Sequence, residues 1–220
     1  MAYTEHKEWD EHYAEGQGFR QLGESERALL AEHAPAPTDG GWALDIGCWL
    51  GGLGAHLASM GYTVDAVDGA ESALARAGQE SGVRWLCLDT EHDGLQPLHE
   101  DGYDLITLRL VYAFLGDRTR VLDDLGRLLR EGDVIVVITP LAAHAPSDRR
   151  DMAVDKDEIS LLSSWWEHFQ RFDAGGLAVL LLRGPRQDHV EVAEKERPSG
   201  TRTSSDSGAV RALDLAPPAQ

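Results

Sequence analysis

The stretch that decides the fold is Ala43–Ala58, which reads ALDIGCWLGGLGAHLA. It begins as an apolar strand, passes through Asp45, Ile46 and Gly47 into a turn, and continues from Leu53 with the pattern of a helix. In open α/β sheets, ligands bind where the carboxyl end of a strand meets the next helix. The turn contains further glycines, which permit a close approach between backbone and ligand because they carry no Cβ. We therefore expect a ligand-binding loop here.

Short apolar runs alternate with helical patterns on both sides of this stretch. The predicted strands are Trp42–Cys48, Tyr62–Asp68, Val83–Asp89, Tyr103–Leu110, Asp133–Pro140, Trp166–Asp173 and Leu177–Arg183, the last two joined as a hairpin through Ala174-Gly175-Gly176. The predicted helices are Glu5–Glu15, Leu22–His33, Leu53–Met60, Ala70–Gln79 and Asp117–Arg130, with Glu131-Gly132 as a stop after the last of them. Parallel strands need crossovers of helix length, so this alternation predicts an α/β fold with a mostly parallel sheet.

Composition narrows the classes of function. The chain has 220 residues with 20 basic and 38 acidic side chains, a formal net charge of −18. Such acidity argues against sequence-independent binding of nucleic acid or of anionic lipid, which need basic surfaces. No apolar run is long enough to span a bilayer, and the charged N-terminus has no secretory pattern. The two cysteines both lie in apolar runs, which is typical of reduced core thiols and leads us to expect a cytoplasmic protein. We expect a monomer or a homodimer.

The chain divides into two parts by composition. Residues 184–220 are rich in Pro, Ser, Gly and mixed charge, which predicts a disordered tail. Residues 1–183 contain all the predicted strands and helices, and we expect them to form one domain, with residues 1–40 as a helical cover.

Two further acids stand at the ends of the next two predicted strands. Asp68 follows Asp45 by 23 residues and is placed to accept the hydroxyls of a ribose. Asp89 closes the third strand, where a carboxylate can reach an adenine amino group. Three acids at three successive strand ends predict a nucleoside site.

At these residues the chain resembles the class I S-adenosylmethionine-dependent methyltransferases. Their first motif, an acid followed by spaced glycines, corresponds to Asp45-Ile-Gly47-Cys-Trp49-Leu-Gly51, and Asp68 and Asp89 match their next two acids. The resemblance implies a three-layer Rossmann-like fold, a seven-stranded sheet of order 3-2-1-4-5-7-6 with strand 7 antiparallel, and S-adenosylmethionine as cofactor. It implies cofactor contacts for Trp9, Tyr13, Asp45, Gly47, Cys48, Gly51, Asp68, Gly69, Asp89, Thr90 and Arg109.

Candidates for direct roles in the reaction follow the fourth and fifth strands. Arg109 and Tyr112 stand where this family places residues that touch the methyl donor or acceptor, and His144 is a candidate general base. The nine histidines form no cluster with ligand spacing, so we predict no metal site.

Trp49 departs from the family pattern because it occupies the position of the middle glycine. Three interpretations remain open at this point. The loop is re-routed so that Gly51 and Gly52 make the close approach; or Trp49 narrows the pocket and weakens cofactor binding; or the site does not bind S-adenosylmethionine.

The pattern favours in-line transfer of a methyl group to a small-molecule nucleophile, with its O, N, C or S atom undetermined. Such chemistry needs alignment more than an elaborate set of catalytic groups. A methyltransferase-like binding protein without turnover is one alternative, which Trp49 supports. A nicotinamide-dependent oxidoreductase is another, although the strict G-x-G-x-x-G fingerprint is absent.

Overall fold

Seven strands form a single sheet. The computed structural model describes Glu11, residues 20–78 and residues 80–186. Its strands are β1 (Gly41–Ile46), β2 (Tyr62–Asp68), β3 (Val83–Cys87), β4 (Tyr103–Arg109), β5 (Leu129–Pro140), β6 (Trp166–Ala174) and β7 (Leu177–Pro185). They lie in the order β3-β2-β1-β4-β5-β7-β6. The first five pair in parallel, and β7 is antiparallel to both β5 and β6. The predicted sheet order is confirmed.

Helices cover both faces of this sheet. They are α1 (Glu24–His33), α2 (Gly52–Ser59), α3 (Glu71–Leu74), α4 (Arg118–Leu128) and α5 (Lys156–Trp165), with 3-10 helices at Tyr112–Phe114 and Ser147–Met152. α4 is amphipathic and starts at Asp117, whose side chain accepts the backbone N–H of Arg120. α5 was not predicted, and α3 is much shorter than the predicted Ala70–Gln79. Only Ala73 and Leu74 of α3 are buried, so little packing is present to stabilise further turns.

The predicted helix stop at Glu131-Gly132 was wrong. α4 passes directly into β5 at Leu129, and both residues lie within that strand. The register shifts here, since Tyr103 pairs with Leu129 whereas Leu105 pairs with Val134. A bulge therefore absorbs the Glu-Gly pair, with Gly132 at a φ of +87°.

Alternation along the strands separates two apolar layers. Leu44 and Ile46 of β1 pack on the face that α4 and α5 cover. Ala43 packs on the other face, which α1 and α2 cover. Asp45 is also directed toward the second face, as its position between Leu44 and Ile46 requires. The polar groups of the candidate site are therefore on the α1 and α2 side, at the carboxyl edge of the sheet.

The predicted domain boundaries reach beyond the described residues. β7 continues to Pro185, two residues past the expected end of the domain. The predicted first helix, apart from Glu11, and the tail beyond residue 186 lie outside the described part of the chain. Within that part, no helix combines the length and apolar character that crossing a bilayer requires.

Candidate functional site

The turn between β1 and α2 depends on two glycines. Gly47 has a φ of +66°, and a Cβ there would lie 2.8 Å from the side chain of Val111, which follows β4. Gly51 has a φ of +77°, and a Cβ there would lie 1.9 Å from the ring of Trp85 on β3. Any larger residue would meet both a left-handed backbone and a side chain, so glycine is required at each position. Contacts with β3 and with the segment after β4 thus fix the turn from two sides.

Asp68 joins this turn to the loop that follows β2. Its Oδ2 accepts the backbone N–H of Trp49 at 2.9 Å, and its Oδ1 accepts the backbone N–H of Ala70 at 2.9 Å. The residue is 7% exposed. The carboxylate predicted to hold a ribose therefore also connects the two loops that would surround that ribose.

Asp45 is a buried acid beneath the turn. Its Oδ1 accepts a hydrogen bond from the hydroxyl of Thr107 on β4 at 2.9 Å. Its Oδ2 forms no hydrogen bond with any described residue. Burial raises the pKa of Asp45 to about 7, against the lowering effects of Thr107, Arg109 and the Gly54 amide. Near neutral pH this carboxyl is poised between its two charge states, and a cation placed beside Oδ2 would favour the ionised one.

Arg109 ends β4 and forms an ion pair with a buried glutamate. Its Nε donates to Oε1 of Glu26 at 2.9 Å, and its Nη2 donates to the carbonyl oxygen of Gln21 at 3.1 Å. The Glu26 side chain is fully buried and that of Arg109 is 10% exposed. Nη1 makes no hydrogen bond with the described residues. One guanidinium nitrogen thus remains available beside the cavity that Asp45 also lines.

The same glutamate holds the segment before α1 across the sheet edge. Oε2 of Glu26 accepts the backbone N–H of Gly23 at 2.7 Å, which places Glu26 in a capping box at the start of α1. Arg20 contacts the same carboxylate, since its Nη2 lies 3.5 Å from Oε2 of Glu26, and its Nη1 donates to the carbonyl oxygen of Gly175, in the β6–β7 turn, at 2.7 Å. The segment from residue 20 to 23 is therefore attached both to β4 and to the hairpin, and it covers the opening above the turn.

Beneath this covering segment lies a cavity of about 220 Å³. Four of the predicted cofactor-binding residues line it together: Asp45, Gly47, Cys48 and Arg109. The remaining lining residues are Arg20, Gln21, Leu22, Trp49, Leu50, Gly52 and Leu53. Ligand sites commonly measure ~300–1,000 Å³, so this space accommodates only part of a nucleoside-sized ligand.

Other predicted site residues do not line this cavity. Asp68 and Gly51 flank the same turn, whereas Gly69, Asp89 and Thr90 lie outside the cavity lining. Asp89 instead stabilises a turn, since its Oδ1 accepts the backbone N–H of Glu91 at 2.8 Å and its Oδ2 lies 2.7 Å from Nδ1 of His92. Trp9 and Tyr13 lie outside the described residues.

Two predicted catalytic residues are also away from this cavity. Tyr112 is 2% exposed and lines a separate pocket of about 530 Å³, where the guanidinium of Arg118 lies 5.3 Å from its ring centroid. Burial and the neighbouring Glu158 raise the pKa of Tyr112, which keeps its hydroxyl protonated. His144 is exposed on the loop after β5. Only Arg109 of the three predicted catalytic residues lines the cavity beside Asp45.

Cys48 lines the cavity without the properties of a nucleophile. It is buried, and its burial together with the charges of Asp68 and Asp45 raises the pKa of its thiol. A protonated thiol is a poor nucleophile, so Cys48 contributes packing and shape.

Sequence reasoning missed the contacts of Glu26, of Thr107 and of the segment from residue 20 to 23, although it expected a helical cover within residues 1–40. The spacing of Gly23 and Glu26 is that of a capping box, and this was the available signal for the start of α1. Nothing local indicated that the same glutamate pairs with Arg109, 83 residues further along the chain. As for a metal, no group of three ligand-type side chains among the described residues has suitable geometry.

Comparison with known proteins connects this chain with methyltransferases. A family model described as a methyltransferase domain matches residues 44–135, from β1 into β5, which is less than half of the chain. The match agrees with the resemblance to the class I S-adenosylmethionine-dependent methyltransferases. The biotin biosynthesis bifunctional protein BioHC of Cellvibrio japonicus (strain Ueda107) is 32% identical over 107 residues, which is 48% of this chain and 21% of that protein. The match thus spans about a fifth of the length of this relative.

Solved methyltransferase structures share the fold at low sequence identity. A TehB-like S-adenosylmethionine-dependent methyltransferase from Corynebacterium glutamicum is 20% identical with a TM-score of 0.55, covering 81% of this chain and 95% of its own. The plantazolicin methyltransferase BpumL, in complex with SAH, is 15% identical with a TM-score of 0.57 over 73% of this chain and 80% of its own. A putative methyltransferase in complex with the Haloferax volcanii Trm112 activator is 15% identical with a TM-score of 0.60, covering 74% and 89% of the two chains.

Proposed function

We propose that this methyltransferase domain binds S-adenosylmethionine and directs its methyl group to a small-molecule nucleophile. The observation that carries the proposal is a pair of opposite charges, Asp45 and Arg109, in one cavity beside the β1–α2 turn. Oδ2 of Asp45 has no hydrogen bond among the described residues, and the hydrogen bonds of Arg109 with the described residues use Nε and Nη2, which leaves Nη1.

This arrangement fits the amino-acid end of the cofactor. An amino acid carries an ammonium and a carboxylate, which require an acceptor and a cationic donor respectively. A buried Asp45 with its pKa raised to about 7 gains an ion pair when an ammonium group arrives. Glu26 holds Arg109 from its opposite side, so the guanidinium is already oriented before a ligand binds.

The nucleoside end has a different environment. Asp68 stands at the end of β2, and a carboxylate oxygen has more than one lone pair, so its backbone bonds do not exhaust its capacity as an acceptor. Its position supports a role in holding the ribose, and the deviation from the family at Trp49 lies next to it.

The bound cofactor supplies an electrophilic methyl group on a sulfonium, and the protein has to align the acceptor and exclude water. The segment from Arg20 to Gly23 lies over the cavity and serves the second purpose. Asp45 is the one carboxyl group among the described residues that line the cavity, and we assign it to the ammonium group of the cofactor. The described cavity-lining residues therefore have a positioning role, and none of them is assigned as a base for the acceptor.

A small acceptor agrees with the closed edge and with the charge of the chain. The covering segment leaves little room for a folded macromolecule, and a net charge of −18 opposes nucleic acid. Among the relatives, one is named for biotin biosynthesis and another for plantazolicin, and both names are consistent with small acceptors.

Calorimetry with S-adenosylhomocysteine and, separately, with NADH tests the proposal. We expect binding of the first only, with higher affinity at pH 8 than at pH 6 because Asp45 is then ionised in the free protein. The Asp45→Asn variant should lose about ten- to a hundredfold in affinity, the value of a charged hydrogen bond. Binding of NADH in place of the nucleoside thioether would instead support the oxidoreductase alternative.

A binding protein without turnover is the second candidate, and the position of Trp49 favours it. The two are separated by incubating the protein with S-adenosylmethionine and a panel of thiols, phenols, amines and carboxylic acids. Release of S-adenosylhomocysteine with any acceptor supports the enzyme, whereas tight binding without release supports the binding protein.

A further inference from the structure

Trp49 is one of the residues that line the cavity. The lining includes the groups suited to an amino acid, Asp45 and Arg109, but not Asp68 or the residues that follow it. A ligand that joins an amino acid to a nucleoside has to occupy both regions, the cavity and the surroundings of Asp68. Trp49 contacts both regions, because it lines the cavity and also packs against residues that follow Asp68.

On the far side, the indole of Trp49 covers the start of α3. It packs against Ala70 and Ala73, which are 1% and 0% exposed. Both positions carry small side chains, and Ala70 adjoins Asp68, whose Oδ1 accepts its backbone N–H at 2.9 Å. The base attached to a ribose that Asp68 holds would need this neighbouring space.

The backbone of Trp49 keeps the ring in that place. Its φ of +49° is a left-handed conformation that is costly for a residue with a Cβ. Its N–H donates to Oδ2 of Asp68 at 2.9 Å. The loop therefore follows the path that a glycine would take, and the large side chain is accommodated by the two alanines.

We propose that Trp49 is a gate that occupies the nucleoside half of the site in the ligand-free protein. This inference rests on the proposed function, and it identifies Trp49 as the residue that sets cofactor affinity. The ring leaves Ala70 and Ala73 when the nucleoside enters, while Asp45 and Arg109 remain in place. A gate of this kind lowers the apparent affinity by the fraction of molecules in which it is open.

Removal of the ring tests the gate. We expect Trp49→Ala to bind S-adenosylhomocysteine at least about tenfold more tightly than the parent chain, mainly through faster association. Trp42→Phe is the control, because Trp42 is a tryptophan at the amino end of β1, whereas Trp49 lies in the turn that follows the carboxyl end of this strand. Thermal melts establish that both variants fold.

Tryptophan fluorescence tests the same movement without relying on a truncated side chain. Titration of the full chain with S-adenosylhomocysteine should change the emission as the indole leaves its alanine contacts. The change should disappear in Trp49→Phe and persist in Trp42→Phe.

The outcomes distinguish the gate from the proposed function. Tighter binding by Trp49→Ala, or an emission change lost only in Trp49→Phe, supports the gate. Equal or weaker binding by Trp49→Ala overturns the gate, and weaker binding makes Trp49 a platform for the base, while cofactor binding itself stands. Absence of binding by both the parent chain and Trp49→Ala overturns the proposed function together with the gate.

Discussion

Replacement of Asp45 by Asn should stabilise the ligand-free protein while weakening the site. The carboxyl has an ordinary pKa of 3.8 in an unfolded chain and a pKa of about 7 in the fold. The folded state therefore binds more protons between these values, and the free energy of unfolding decreases as the pH rises through this range. The difference corresponds to about 4 kcal/mol in total, of which about 2.5 kcal/mol falls between pH 5 and pH 8.

Urea denaturation of both proteins at pH 5 and pH 8 measures this effect. Asn retains the shape of the side chain without its charge, so Asp45→Asn should lack this part of the pH dependence. The free energy of unfolding of Asp45→Asn should exceed that of the parent chain by about 2 kcal/mol or more beyond the difference at pH 5 when both are measured at pH 8. Asp133, whose pKa is raised to about 6 by burial, remains in both proteins and cancels in the comparison. An advantage that is the same at both pH values would refute the assignment of Asp45 as a buried, uncompensated acid.

Three further predictions follow from local geometry. Gly51→Ala should lower the free energy of unfolding by about 2–4 kcal/mol, because its Cβ meets a tryptophan ring and the backbone is left-handed. Gly132→Ala has a similar φ but open space around the Cβ, so it should lower the free energy of unfolding by only about 1 kcal/mol in the same urea titration. Glu26→Gln should lose about 3–5 kcal/mol by leaving a buried guanidinium without its partner charge. Glu24→Gln, an exposed acid in the same helical turn, should lose less than about 1 kcal/mol, and equal losses would contradict the buried pair. Tyr112→Phe should keep the affinity for S-adenosylhomocysteine within about twofold by calorimetry, since Tyr112 lines a different pocket; a larger change would return it to the cofactor site.

The strands were predictable because their signals are local, whereas their order in the sheet was implied by the family resemblance. Each central strand is an apolar run, and the acids at the ends of the first two runs identified the carboxyl edge as the ligand edge. The hairpin was equally visible, since Gly175 and Gly176 separate the two predicted strands, and both glycines adopt a positive φ. Element ends were less accurate where tertiary pairing overrides the local pattern, as in the bulge at Gly132.

The site was only partly predictable, for a related reason. The sequence indicates that Asp45 and Asp68 stand at strand ends, but it does not reveal which atoms their carboxylates contact. Arg109 was identified from its place at the carboxyl end of β4, whereas Glu26 contacts it across 83 residues and leaves no local sequence signal beyond a helix cap. Trp49 was recognised from the sequence as an exception to the family pattern. The structure adds that its side chain packs against Ala70 while the residue also lines the cavity.

The two backbone bonds of Asp68 have a consequence for experiments on the nucleoside end. Two peptide amides donate to the carboxylate that we propose as the ribose acceptor, one to each oxygen. Truncation to Ala thus unties two loops in addition to deleting a ligand contact, and the measured loss of affinity combines both effects. A double-mutant cycle between Asp68 and a ribose lacking one hydroxyl separates them, because loosening of the loops is common to both ligands and cancels.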